Sequence, residues 1–382
     1  MSEDVAVVGL GIHPFGRHPG VSGLEMAAHV VRAALADAGI GWEQVDFAAG
    51  GSDSAGNADT TVSVLGLTGV PFINVKNGCA TGGSALTTAH AMLSAGSAEI
   101  ALVVGFDKHP PGAFNPLPEE WGIGSWYGET GLMLTTQFFA MKIQRYMGEH
   151  GISESTLAKV AAKAFENGSR NPNAWRRQAL TEQEVLASKL VNDPLRQYMF
   201  CSPGEGAVAL VLARGERIRK LTSKPVYLRS VAFRTRRFGT FEVFSPSIPI
   251  ETAPPPTAEA AAAAFEQAGI GPDDVDVAQL QDTESGAEIM HLAETGLCRH
   301  GEQEALVQNG ATRIGGRFPV NTDGGCLACG EPIGASGLRQ VHEVALQLRG
   351  DAGDRQIPGP ARVGFTQVYG APGVSACTVL ST

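Results

Sequence analysis

The sequence predicts an α/β protein built from two similar halves. Three observations carry this. Short apolar strands alternate with helix-periodic segments. One helix–turn–strand unit recurs 230 residues further on. Glycines stand where helices have to stop, because glycine accepts the left-handed conformation that ends them. The 382 residues are 43% hydrophobic. That is enough for a large core and more than one ordinary domain holds.

The first strand is expected at Val5–Gly9 and the first helix from Leu24 to Ala38, stopping at Gly39. The text AGIGWEQVDFAAGG then leads into a strand, and AGIGPDDVDVAQLQD repeats that grammar around Gly269. Both copies read as a helix, a glycine stop, an acidic turn and a strand, which points to an internal duplication. In the first half, NVKNGCATGGSALTTAHAMLSAG reads as a loop feeding a long helix, followed by the strand EIALVVGF. Residues of about 109–200 form an insertion with helices near Thr136–His150 and Ser155–Asn167. A connection this long is functional or a subdomain, and it is read as a lid over a substrate cleft, its aromatics mostly packing. In the second half, TAPPPTAEAAAAAF enters a helix, NTDGGCLACGEPIGASGLRQVHEVALQLRG is again a glycine-rich loop feeding a helix, and RVGFTQVYG and VSACTVLS are strands. The halves are placed at 1–222, insertion included, and 223–382.

The net charge is −10, which argues against a general nucleic-acid binder. The run Arg234, Thr235, Arg236, Arg237 is either a solvated loop or a phosphate contact. Six cysteines in this length do not make a disulfide framework. The start MSEDVAVVGLG lacks the basic, apolar pattern of a signal peptide, and no apolar run approaches the roughly 20 residues that span a bilayer. A cytoplasmic location is expected.

Cys79 stands just before a predicted helix in Asn77-Gly78-Cys79-Ala80-Thr81-Gly82-Gly83. Free N–H groups and the dipole at a helix start favour a thiolate, the nucleophilic form; the competing reading is an inert buried cysteine. Cys326 and Cys329 form a Cys-x-x-Cys without a second pair, so no metal is expected, although Cys329 could line the site. Gly9-x-Gly11 lacks the full dinucleotide fingerprint. His291 and His342 fall at helical positions and read as packing or surface residues.

NGCATGGSAL followed by GSAEIALVVGFDK resembles the nucleophile segment of thiolases, in the sterol-carrier-protein-x or lipid-transfer branch. DPLRQYMFCSPGEGAVALVLA resembles the strand closing the family's first half, and NTDGG with GEPIGASGLRQ resembles the loop and helix of its Gly-His-Pro motif. The resemblance runs nearly end to end. It implies a five-layered αβαβα core, a homodimer, and coenzyme A as substrate or product rather than as a tightly bound cofactor. Some relatives work with a DUF35-type OB-fold/zinc-ribbon protein, which makes such a partner an expectation here.

The departures bear on mechanism. Glu331 stands where the family has the Gly-His-Pro histidine, Gln281 begins the stretch matching the oxyanion motif, and Gln367 is the nearest match to the second catalytic cysteine. Cys377 lies later in strand-like sequence and reads as core. An ionised Glu331 donates no hydrogen bond and raises a nearby thiol's pKa, yet a partly buried carboxyl can carry protons. Tyr369 and His109 lie near family site loops and either project there or are structural. Three readings follow. One is thiolytic acyl transfer through a Cys79 acyl-enzyme, with Glu331 as acid/base and Gln281 as oxyanion donor. Another is retro-aldol cleavage of a β-hydroxyacyl-CoA such as a steroid side chain. The third is a degenerate protein that only binds lipid or CoA.

Overall fold

The computed structural model describes residues 4–242, 244 and 253–382. Thr252, the first residue of the Pro-rich stretch, lies outside them. The strands in chain order are β1 (Val5–Gly16), β2 (Phe47–Gly51), β3 (Phe72–Asn74), β4 (Ile100–Lys108), β5 (Leu190–Asn192), β6 (Leu195–Arg196), β7 (Glu205–Arg214), β8 (Val226–Thr235), β9 (Val277–Leu280), β10 (Val363–Gly370) and β11 (Val374–Ser381). Apart from the β5–β6 pair they form one sheet in the order β3-β2-β4-β7-β1-β8-β11-β10-β9. Only two residue pairs, Ala6 with Tyr227 and Val7 with Val226, join β1 to β8, so the sheet is two half-sheets meeting at one corner.

The half-sheets repeat each other: β2-β4-β7-β1 and β9-β10-β11-β8 have the same order. The repeat extends to hydrogen bonds. Gly39 (φ 68°, ψ 31°) and Gly269 (φ 68°, ψ 28°) end the Gly23–Ala38 and Pro256–Ala268 helices in the same left-handed cap. Asp46 Oδ2 accepts from the N–H groups of Glu99 and Ile100 at the start of β4. Asp276 Oδ2, 230 residues later, accepts from Arg362 and Val363 at the start of β10.

Five layers result. The Gly23–Ala38 helix covers the outer face of the first half-sheet, and the Pro256–Ala268 helix the outer face of the second. Between the half-sheets lie the Thr81–Ser94 and Ser336–Arg349 helices, in contact with each other. That contact is close because both helices present glycine: a Cβ on Gly82 would lie 2.9 Å from Leu338 N, and one on Gly337 2.9 Å from Gly83 N. Strand alternation sorts the core. Val5 and Val7 face the central helices with Leu86, Leu93 and Leu338, while Ala6 and Val8 face the outer helix with Met26 and Val30.

β1 runs on to Gly16, past the expected end at Gly9. Its glycines mark close packing rather than a strand end or a cofactor loop: a Cβ on Gly9 would lie 2.2 Å from Ala34 O, and one on Gly11 2.1 Å from Val30 O. The insertion between β4 and β7 holds the Thr135–His150 and Glu154–Ser169 helices. Their apolar faces bury Ile143, Leu157, Val160 and Ala164 against Ile289 and Leu327 of the second half. Among the described residues no helix is long and apolar enough to cross a membrane.

Candidate active site

Cys79 sits in a tight turn that starts the Thr81–Ser94 helix. Gly78 takes φ 53°, and Thr81 Oγ1 donates to Gly78 O at 2.7 Å while accepting from Asn77 N at 2.9 Å. Asn77 Nδ2 donates to Ser84 Oγ at 2.8 Å. The β10–β11 turn presses on this one, since a Cβ on Gly370 would lie 2.4 Å from Asn77 O and 2.7 Å from Ala80 N. Cys79 is thereby fixed at a helix start and remains partly exposed.

Glu331 arrives from the second half in extended chain paired with residues 202–204. Its N–H donates to Ser202 O at 2.9 Å, and its carbonyl accepts from Gly204 N at 3.3 Å. Its carboxylate is fully buried and lies against the Cys79 thiol. Burial first, and then the Glu331 charge, push that thiol well above its ordinary pKa. Gln281 Nε2 donates to Glu331 Oε2 at 3.1 Å. Among the described residues, Glu331 Oε1 and Gln281 Oε1 are buried without a close hydrogen-bond partner. A buried acceptor pair of this kind calls for a donor that arrives with a ligand or water.

The structure therefore brings Cys79, Glu331 and Gln281 together. Gln367 is fully buried and holds the backbone: its Oε1 and its carbonyl both accept from Gln281 N, at 3.1 and 3.0 Å, while its Nε2 reaches Thr257 Oγ1 at 3.2 Å. His291 Nδ1 lies 2.8 Å from Gln281 O, and burial pushes this histidine down to about 4. Tyr369 donates to Glu242 Oε2 at 2.7 Å beneath Lys142 and packs with Tyr127, Met133 and Phe138 of the insertion. Cys329 is buried, its thiol 3.6 Å from Asp323 O, and Cys377 and His342 are buried as well. Arg237 pairs with Glu259 at 2.9 Å, and Arg236 N donates to Gly373 O at 2.7 Å, so the basic run flanks the β10–β11 turn.

Sequence reasoning misses two residues here. One is Cys201, whose side chain is electrostatically coupled to that of Cys79; its only signal is its place just before β7. The other is Asp107, fully buried at the end of β4. Its carboxylate accepts from Asp53 N at 2.8 Å, Ser54 N at 2.9 Å and, across the halves, Gly334 N at 2.7 Å. It thus fixes the turn after Glu331. His109 packs beside it, with Nδ1 3.1 Å from Ser54 Oγ.

Burial alone would raise the Asp107 carboxyl, but the His109 ring and the Asp53 and Ser54 N–H groups outweigh it and hold it below its ordinary value. A depressed folded pKa contributes stability that is complete above the unfolded value and is lost as pH falls through the folded one. Asp107→Asn is expected to cost about 1–3 kcal/mol at neutral pH, because an amide cannot accept at both positions. It should also flatten the acid limb of stability below the ordinary carboxylate range. Urea unfolding from acid to neutral pH checks both; an unchanged acid limb would refute the assignment.

The family model described as thiolase, N-terminal domain, matches residues 5–204, and the thiolase C-terminal domain-like model matches residues 250–382. Sterol carrier protein 2 of Homo sapiens is 33% identical over 98% of this chain and 71% of its own length. An acetyl-CoA acetyltransferase of Methanothermobacter thermautotrophicus is 33% identical over 98% of both chains. Among solved structures, an Ltp2-ChsH2(DUF35) aldolase superposes with a TM-score of 0.88 over 100% of this chain and 98% of that one, at 24% identity.

Proposed function

Because the chain belongs to the thiolase superfamily, in the branch with sterol carrier protein 2 and the lipid-transfer-like proteins, we propose that it is an acyl-CoA enzyme. It cleaves or forms the bond between the α- and β-carbons of a 3-oxoacyl-CoA through a Cys79 acyl-enzyme. One observation carries this: a cysteine at a helix start lies against a buried carboxylate whose Oε1 is open. A thiol with so high a pKa attacks only if a neighbour takes its proton, and Glu331 is that neighbour. Cys79 Sγ then adds to the β-carbon, the α–β bond breaks, and a second coenzyme A collects the acyl group. Coenzyme A is substrate and product here.

A second reading rests on a different observation. The Gln281 amide, the donor the sequence offers for an oxyanion, is taken up by Glu331 Oε2. That arrangement orients Glu331 as a base for a substrate hydroxyl, as retro-aldol cleavage of a β-hydroxyacyl-CoA requires. The aldolase with the similar fold is titled as a complex with a DUF35 protein, and a DUF35-type partner and a steroid side chain are proposed with this reading. In either case the enzyme is taken to be a cytoplasmic homodimer. Edge strand β3, with Ile73 exposed at 44%, offers an unpaired ladder for a second copy.

Incubation with 3-oxoacyl- and 3-hydroxyacyl-CoA, followed by intact-mass spectrometry and peptide mapping, tests these. The expected result is an acyl adduct on Cys79 from the 3-oxo substrate, abolished with turnover in Cys79→Ala. Cleavage of the 3-hydroxy substrate without an adduct, and undiminished in Cys79→Ala, would establish the aldol route instead. Binding without turnover of either would leave a lipid or CoA carrier.

A further inference from the structure

The Glu331 carboxylate lies against Cys79, yet few side-chain bonds keep it there. Among the described residues, Gln281 Nε2 donates to Oε2 while Oε1 lacks a hydrogen-bond partner. Its placement therefore comes from the backbone, through the pairing of Glu331 with residues 202–204 and through Gly330 before it. Gly330 takes φ 83° and ψ 177°, a region that glycine alone adopts without strain. Misplacing a reacting group by about 1 Å costs about a hundredfold in rate, so whatever fixes Gly330 bears on the chemistry.

Trp175, from the insertion, stands where a side chain on Gly330 would have to go. A Cβ on Gly330 would lie 2.9 Å from Trp175 Cε3 and 3.2 Å from Ser202 O. On the first half, a Cβ on Gly16 would lie 3.6 Å from Trp175 Cδ1. The partly buried indole is thus a spacer between the end of β1 and the turn that carries Glu331. Its own chain is tied to both sides: Phe15 N donates to Asn173 O, and Arg176 N donates to Ala328 O, each at 2.9 Å. Two guanidinium groups lie over the ring, with Cζ 5.2 Å from its centre for Arg17 and 5.4 Å for Arg176, within cation–π range. The same two groups hold the segment that pairs with Glu331. Arg17 Nη2 donates to Pro203 O, and Arg176 donates to Phe200 O at 3.5 Å and to Ser202 Oγ. Ser202 O in turn accepts from Glu331 N at 2.9 Å.

We propose that Trp175 is a positioning residue of this site: its ring, clasped by Arg17 and Arg176, fixes Gly330 and so keeps the Glu331 carboxylate against Cys79. This rests on the reading that Glu331 takes the Cys79 proton. Trp175 touches no reacting atom in this role and acts only through Glu331. Without the ring, Gly330 gains room toward the insertion, and the extended segment loses the wall behind it. The carboxylate then withdraws from the thiol. Burial and then the Glu331 charge raise the Cys79 thiol, so withdrawal of that charge lowers it and frees more thiolate at neutral pH. A fall of about one pKa unit raises the thiolate fraction about tenfold. The weaker basicity takes back about threefold in nucleophilicity, which leaves a net gain of about threefold.

The test needs no substrate. The whole protein is treated with iodoacetamide at neutral pH, and the rate of alkylation at Cys79 is read by peptide mapping. Trp175→Leu is expected to react at least about threefold faster than wild type. Trp175→Phe keeps an aromatic face behind Gly330 and should react at the wild-type rate. In the Glu331→Gln background the leucine substitution should add no further acceleration, because the group it acts through is already gone. A merely structural loosening would expose Cys79 equally in both backgrounds. Arg17→Met, at the partly exposed rim of the stack, serves if the leucine variant fails to fold, and it should accelerate alkylation in the same Glu331-dependent way. An unchanged rate in the folded variants, or an equal rise with and without the Glu331 carboxylate, would overturn the role of Trp175 alone. An unchanged rate in Glu331→Gln itself would overturn both this role and the pairing of Glu331 with Cys79 on which the acyl-transfer reading depends.

Discussion

Glu331→Gln is expected to lower turnover by about 10²–10⁴-fold, the usual contribution of a positioned acid–base group, while leaving the fold intact. The substitution keeps shape, and the new amide oxygen can still accept from Gln281 Nε2, now 3.1 Å from Glu331 Oε2. What disappears is the buried carboxylate that lies against Cys79. A second readout separates this from a structural defect. The Cys79 thiol is raised by burial first and by the Glu331 charge second. Removing the charge leaves the burial, so the thiol pKa falls but stays above its ordinary value. Alkylation of Cys79 by iodoacetamide should accelerate at neutral pH in the very variant that has lost turnover. A variant slow in both assays would mean that the turn around Glu331 has shifted. One unchanged in turnover would remove Glu331 from the chemistry.

Much of this architecture was legible in the sequence because it is written locally. A helix needs its glycine stop within the same few residues, so Gly39 and Gly269 exposed the duplication. The matching carboxylates Asp46 and Asp276 each tie two N–H groups of a strand more than fifty residues away, which makes the repeat one of interactions as well as of text. Cys79 was visible for the same reason: its turn is made by its own neighbours. The rest depended on pairings between distant segments. Cys201 acquires meaning only once residues 200–204 lie beside Glu284 and Glu331. Gln281 read as a free amide, yet its Nε2 is bonded to a carboxylate 50 residues later. The continuation of β1 to Gly16 was hidden by glycine and proline, and is specified by β7, whose Ala207 pairs with His13.

The largest stability effect is expected where the insertion meets the second half. Lys163, on the Glu154–Ser169 helix, is 2% exposed, and its ion-pair partner Glu288, on the Ser285–Glu294 helix, is 0% exposed. Glu288 Oε2 also accepts from Asn321 Nδ2 at 2.8 Å. Asn321 in turn accepts at its carbonyl from Asn167 Nδ2 and at its Oδ1 from Leu280 N, both at 2.9 Å. Attraction between two buried charges roughly offsets their desolvation, so the intact pair contributes little net stability, but removing one partner strands the other. Glu288→Ala should therefore cost about 3–5 kcal/mol, read as a lower urea midpoint with the slope preserved. Lys163→Met combined with Glu288→Met should recover most of that loss, since no charge remains in the dry interface. If the double variant is as unstable as the single one, the Asn321 hydrogen bond rather than the charge is what Glu288 supplies. The insertion, with its Tyr127–Phe138 patch packed on Tyr369, would then be held by an amide network running from Asn167 through Asn321 to Leu280 at the end of β9, the residue before Gln281. In that case Asn321→Ala should reproduce the loss of Glu288→Ala, and combining the two should add little further loss.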